Sequence, residues 1–156
     1  NDAESRQQIL EQGCALFQAA GLDSTAMAEL NQARWQKLVW NVPYNGLSVL
    51  LGAGTTAMMA DESSRELIQA LMAEVVAGAH ACGHEIPASY AEQMFAMTET
   101  MDDYLPSMYH DHVHKRPLEL AAIYARPLAA AKAAGCELPR MQALYQALSF
   151  IDRHNR

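Results

Sequence analysis

Apolar residues recur at helical spacing along almost the whole chain, and nowhere do they alternate as in a half-buried strand. From Ser5 to Ala20, the set Ile9, Leu10, Gly13, Leu16, Phe17 and Ala20 marks one helix, and Gly21 is a natural stop. Ser24 or Thr25 is placed to cap a long second helix running to about Leu51. Pro43 lies inside it and removes one backbone donor, which predicts a kink or break near Asn41. Residues 52–56, GAGTT, read as a turn. Another long helix spans Asp61 to Ala81 on Leu67, Ile68, Leu71, Met72, Val75 and Val76, ended by Gly83. Ser89, with Glu92 three residues on as in a capping box, opens a helix reaching about Met101. Pro106 opens a short turn through Met108 and Tyr109. Pro117 suits the first turn of a further helix, which Pro127 interrupts and Gly135 stops, and Pro139 begins the last one. The pattern predicts an all-α domain over residues 1–156, with roughly six to eight helices and no internal repeat.

Three polar positions break the apolar run of the second helix. Lys37, Asn41 and Asn45 stand four apart in WQKLVWNVPYNGLSVLL and share one helix face. Burying an ammonium and two amides without partners costs, very roughly, several kcal/mol, so such a stripe is usually there to hold something. A lysine in an apolar pocket can protonate an oxygen that gains negative charge, once its pKa falls toward neutrality. Each asparagine can donate and accept, which suits a small ligand carrying hydroxyl, carbonyl and carboxylate groups. A solvated amphipathic face accounts for a lone lysine equally well. Spacing alone leaves both readings open.

Composition narrows the partners. Hydrophobic residues make up 51% of the 156 and charged residues 19%, so a packed domain is expected rather than a disordered chain. The net charge of -7, with no basic run, argues against nucleic acid and anionic membrane surfaces. No uninterrupted apolar stretch is long enough to span a bilayer. Cys14, Cys82 and Cys136 are far apart and form no C-x-x-C pair, which points to reduced thiols in a cytoplasmic protein. The chain starts without Met on a polar stretch leading straight into a helix, as a piece of a longer protein would.

Two further clusters carry possible chemistry. In PSMYHD, Ser107 is a candidate hydroxyl donor, and in RPLE, Glu119 is a candidate acid; as a helix cap and a solvated first-turn acid they would need no ligand. The histidines offer a metal-binding alternative. His80 and His84 are spaced i, i+4, and His110, His112 and His114 alternate in HDHVH. However, H-A-C-G-H lacks the glutamate of a metalloprotease helix, and Gly83 falls between its histidines, so solvated or structural imidazoles are expected and no metal.

Taken in order, W-Q-K-L-x-x-N-x-x-x-N-x-L, P-S-M-x-x-D and R-P-x-E-x-x-x-I resemble the C-terminal domain of ketopantoate reductases, the 2-dehydropantoate 2-reductases. The resemblance runs from about Ser5 to Leu148 and includes Glu74 ahead of A-C-G-H and the segment A-A-G-C-E-L-P. It implies a helical substrate domain of the 6-phosphogluconate dehydrogenase C-terminal-like type, whose N-terminal Rossmann partner lies outside this chain. The implied reaction is NADPH-dependent reduction of ketopantoate to pantoate, on the way to pantothenate and coenzyme A. Carried over by position, Lys37 would be the general acid toward the substrate carbonyl. Asn41, Asn45 and Ser107 would bind substrate, and Glu119 would serve substrate and cofactor binding.

Two departures bear on this. Thr55 stands near the place where some members carry another substrate-binding asparagine, and no G-x-G-x-x-G fingerprint is present. The expectation is therefore the substrate domain of a larger reductase, inactive by itself and inclined to pair with its Rossmann domain or a second copy. A reductase of another 2-keto acid, or a non-enzymatic helical assembly module, fits the same pattern.

Overall fold

A computed structural model of the chain describes residues 2–27 and 29–155. Among them are eight α-helices, one short π-helical stretch and no strand. The central element is α2, Leu30–Leu51, in which Pro43 through Val49 are all buried. Lying along it is α4, Glu62–Ala81, which contributes Ile68, Leu71, Met72 and Val75 to the core. Two more helices close other sides of α2: α6, Ser107–Val113, through Met108, and α8, Pro139–His154, through Met141 and Leu148. Each fully buried apolar side chain of this set contributes roughly 1.5–3 kcal/mol by leaving water. Short α3, Thr55–Ala60, and α5, Ala88–Glu99, pack against both α2 and α4. The remaining wall is a π turn, Ala121–Ala125, running directly into α7, Arg126–Ala133. The first helix, α1, Asp2–Ala19, is different in kind: Ile9, Leu16 and Phe17 share one face and are all exposed.

The helix pattern of the sequence survives in outline, and its stops do too. Gly21, Gly83 and Gly135 end helices with φ near +80°, where a side chain would be strained. The starts differ. The second helix begins at Leu30 rather than at Ser24 or Thr25; the Asp-Ser-Thr segment before it is rich in residues that compete with the helical backbone. No capping box forms at Ser89, because α5 begins one residue earlier, behind Pro87, whose carbonyl accepts from Tyr90. Thr55 and Thr56 belong to α3 instead of the preceding turn. Asp103 accepts from the amide of Thr56 at 2.9 Å and supplies the start that the local sequence lacks.

Of the five prolines read as shaping the helices, Pro139 opens α8 as expected, whereas Pro43, Pro117 and Pro127 behave differently from expectation. α2 runs unbroken through Pro43, which is buried on all sides. Pro117 lies before the helix rather than in its first turn. Leu118 donates to the carboxylate of Asp152 at 2.9 Å, which holds this segment non-helical. Pro127 does not interrupt the helix that follows. The preceding turn widens to a π turn, closed by the Arg126 amide on the carbonyl of Ala121, and the chain stays helical to Ala133.

Candidate functional site

Burial grades along the polar stripe of α2. Lys37 is exposed, Asn41 half-buried and Asn45 only 3% exposed, because the helix dives into the core over these two turns. The π turn and α7 face the exposed end of the stripe. Between the two walls lies a cleft of about 540 Å³, lined by Lys37, Asn41, Arg34 and Trp35 from α2, and by Glu119, Ile123 and Arg126 on the other side. Cys82 and His84, just past the end of α4, also line it. The two walls expose one helical face each. Arg34, Lys37 and Asn41 recur at intervals of three and four residues, as do Glu119, Ala122, Ile123 and Arg126.

Four of the polar side chains on these walls are uncommitted. Among the described residues, no hydrogen bond or ion pair engages the ammonium of Lys37, the amide of Asn41 or the carboxylates and guanidiniums of Glu119 and Arg126. Lys37 and Glu119 thus line one cleft without neutralising each other. Cys82 is not a nucleophile here. Burial, and to a smaller extent the neighbouring Cys136, pushes its thiol up, so it stays protonated at neutral pH.

Asn45 and Ser107, the other two residues singled out from the sequence, meet each other outside the cleft lining. The Oδ1 atom of Asn45 accepts from the backbone amide of Met108 at 3.1 Å and, more distantly, from the Ser107 hydroxyl at 3.4 Å. Asn45 therefore caps the start of α6 from 63 residues away, and Ser107 lies exposed on that cap. Glu74, quoted with the same motif set, does the equivalent for α8. Its carboxylate accepts from the amides of Arg140 and Met141 at 3.0 and 2.9 Å.

The histidines are divided in the same way. His80 Nε2 faces the backbone of Ile86, 2.7 Å from its carbonyl oxygen, and staples the loop after α4. His84 lines the cleft, and His114 lies against the carbonyl of His110 on α6. Among the described residues, no group of three His, Cys, Asp or Glu side chains is arranged to hold a metal ion.

Several residues at the site escaped the sequence reading. Arg34 precedes Lys37 by three positions and Arg126 follows Glu119 by seven, so helical spacing from either known member would have found both. Tyr124 had no local signal. Its hydroxyl reaches α2 across 82 residues and donates to the carbonyl of Val42 at 2.7 Å.

The all-helical domain thus sets a lysine and asparagine wall opposite a glutamate across one cleft, together with Arg34 and Arg126. Its relatives place it further. The family described as ketopantoate reductase PanE/ApbA C terminal matches residues 29–152. A 2-dehydropantoate 2-reductase of Nostoc sp. is 46% identical over 140 residues, covering 90% of this chain and 44% of the relative. The crystal structure of 2-dehydropantoate 2-reductase from Geobacter metallireducens superposes with a TM-score of 0.86 at 40% identity, over 91% of this chain and 48% of that one. A dimeric ketopantoate reductase from Staphylococcus aureus gives 0.79 at 26%, over 95% and 52%. The chain belongs to the ketopantoate reductase C-terminal domain family. It spans a little under half the length of the Nostoc relative.

Proposed function

We propose that this chain is the substrate-side domain of an NADPH-dependent 2-dehydropantoate 2-reductase, reducing ketopantoate to pantoate in pantothenate and coenzyme A biosynthesis. The observation that carries the reading is the convergence of Lys37, Asn41 and Glu119, distant or separately motivated in the sequence, on one cleft.

The chemistry follows from those groups. NADPH, when bound, supplies the hydride that adds to the C2 carbonyl carbon. Lys37 donates a proton to the carbonyl oxygen as negative charge grows there, so its ammonium acts most strongly in the transition state. Asn41 holds the substrate's polar arms by donating and accepting. Asn45 and Ser107, seated on the start of α6, orient the substrate carboxylate from beyond the cleft lining. Glu119 can accept hydrogen bonds from ribose hydroxyls, and the uncommitted guanidiniums nearby suit phosphate, so the cleft fits the edge of a dinucleotide.

This domain thus contributes orientation and electrostatics, while the bulk of the dinucleotide site belongs to a Rossmann domain beyond these residues; the chain alone is expected to be inactive. Part-buried free cysteines, and the absence of any helix long and apolar enough to cross a membrane among the described residues, agree with a cytoplasmic site of action. The exposed apolar face of α1 is available to the Rossmann domain or to a second copy in a homodimer.

A reductase of a different 2-keto acid is the second reading. It is favoured by Thr55, which is buried and bonded to the backbone of Tyr104 where the resemblance implies a further substrate asparagine in some members. NADPH oxidation by the full-length protein, with ketopantoate beside a panel of other 2-keto acids, separates them. Turnover of ketopantoate above the panel supports the first reading, turnover of another acid the second. No turnover with NADPH still bound removes both and leaves a helical assembly module.

A further inference from the structure

Charge in the cleft runs against charge in the protein. The chain carries a net charge of -7. Yet the cleft gathers Arg34, Lys37 and Arg126 against the single carboxylate of Glu119, which leaves two positive charges unbalanced. Under the reading above, on which this inference rests, a 2-keto monoacid brings one negative charge and Lys37 is engaged at the carbonyl. One guanidinium charge is left over.

Its placement is informative. Arg34 lies one turn before Lys37 on the α2 wall, and Arg126 lies on the facing wall two turns after Glu119. Ala122 and Ala130, four residues before and after Arg126, also line the cleft and leave room beside the guanidinium. Arg34 makes only a long contact, 3.4 Å, with the side-chain oxygen of Asn31 within its own helix. Among the described residues Arg126 makes none. Two planar forks that line one cleft from α2 and α7 can serve an oxyanion from two sides, and a cleft with low-dielectric walls concentrates their field.

We infer that Arg126, with Arg34 across the cleft, forms a second anion subsite for a carboxylate or phosphate carried in addition to the carboxylate of the 2-keto acid. Two sources share this chemistry: the far carboxylate of a dicarboxylic 2-keto acid, and the 2′-phosphate that distinguishes NADPH from NADH.

Binding, not turnover, tests it. Calorimetric titrations on the full-length protein would compare 2-oxopentanedioate with 2-oxopentanoate, and NADPH with NADH, in wild type, Arg126→Gln, Arg34→Gln and Arg126→Lys. We expect the extra-anion preference of one pair to fall about ten- to a hundredfold in Arg126→Gln, as loss of a charge-assisted hydrogen bond predicts. Arg34→Gln should shift it the same way, and Arg126→Lys should restore part of it. Response of the acid pair assigns the subsite to the substrate, and response of the dinucleotide pair to the cofactor phosphate. If neither preference differs between wild type and the glutamine variants, with helicity by circular dichroism unchanged, the guanidiniums are merely solvated and the inference is overturned. A full-length protein that turns over no 2-keto acid would remove the proposed function, yet these binding differences would still decide the subsite.

Discussion

The hydroxyl of Tyr124 donates to the carbonyl of Val42 at 2.7 Å, inside the turn of α2 that separates Asn41 from Asn45. The same oxygen lies so close to Gly46 that a Cβ there would sit 2.2 Å from it, so one side chain from the π turn is packed directly against the backbone of the central helix. Pro43 weakens the helix ladder by offering no donor to the carbonyl of Val39. The tyrosine thus bonds the helix one residue before Pro43, and it joins the two walls of the cleft.

Tyr124→Phe should therefore cost about 0.5–1.5 kcal/mol, the net worth of a buried hydrogen bond to a carbonyl that the helix ladder also serves. Burial drives the Tyr124 phenol well above its ordinary value of 10.0. The protonated form is favoured in the folded state, so its contribution is complete below pH 10 and declines as pH rises above it. Urea titrations from pH 8 to 11 should show stability falling above pH 10 in wild type and falling less steeply in the variant. An identical slope in both would show that Tyr124 is not the group responsible. Tyr44 and Tyr90 are shifted in the same direction by burial and leave a residual slope.

Gly46→Ala should destabilise in spite of the better helix propensity of alanine. A Cβ at this position would sit 2.2 Å from the Tyr124 hydroxyl and 2.7 Å from Cδ2 of Leu144. Overpacking of this kind costs about 1–3 kcal/mol, against a propensity gain of about 1. Chemical denaturation of Gly46→Ala, Tyr124→Phe and the double variant should give a non-additive cycle, with part of the loss recovered when the hydroxyl is gone. Strict additivity would contradict the close approach.

Asn45 and Ser107 should separate under mutation although they touch. Asn45→Ala removes the buried acceptor for Met108 and is expected to lose about 1–3 kcal/mol. Ser107→Ala, exposed and held only by a 3.4 Å contact, should stay within about 0.5 kcal/mol of wild type. If both orient substrate, both raise KM in the full-length protein, so thermal melts beside steady-state kinetics distinguish a cap from a ligand contact.

Glu74→Ala should uncap α8 and lower stability by about 1 kcal/mol or more, because a carboxylate on two first-turn amides is lost. Amide exchange measured residue by residue should rise most at Arg140 and Met141. Uniform exchange across the chain would instead indicate a global effect.

Lys37→Ala should lower turnover of the full-length protein by about 10²–10⁴, with stability changed by no more than about 0.5 kcal/mol because the side chain is exposed and unbonded among the described residues. Retained turnover would end its assignment as general acid.

The sequence by itself determined the helical class, the helix stops at Gly21, Gly83 and Gly135, and the shared face of Lys37, Asn41 and Asn45. These rest on periodicity and backbone conformation, which are local properties. It determined only some of the helix starts, those of α4 at Asp61 and of α8 at Pro139. Among the described residues, only Asp61 caps its own helix through its side chain, accepting from Ser64 at 2.7 Å. Asp103, Asn45 and Glu74 cap α3, α6 and α8 from 47, 63 and 66 residues away, so those caps exist only once the chain is packed. Tertiary structure likewise decided the fate of Pro43, which lies buried in a helix that runs on through it, and of Pro127, whose missing donor follows a widened π turn. It also sorted the candidate residues: Lys37, Asn41 and Glu119 share a cleft with Arg34 and Arg126, while Asn45 and Ser107 form the cap beside it. A carboxylate 82 positions from a lysine acquires meaning only when two helix walls bring them to one cavity, and no local pattern encodes that approach.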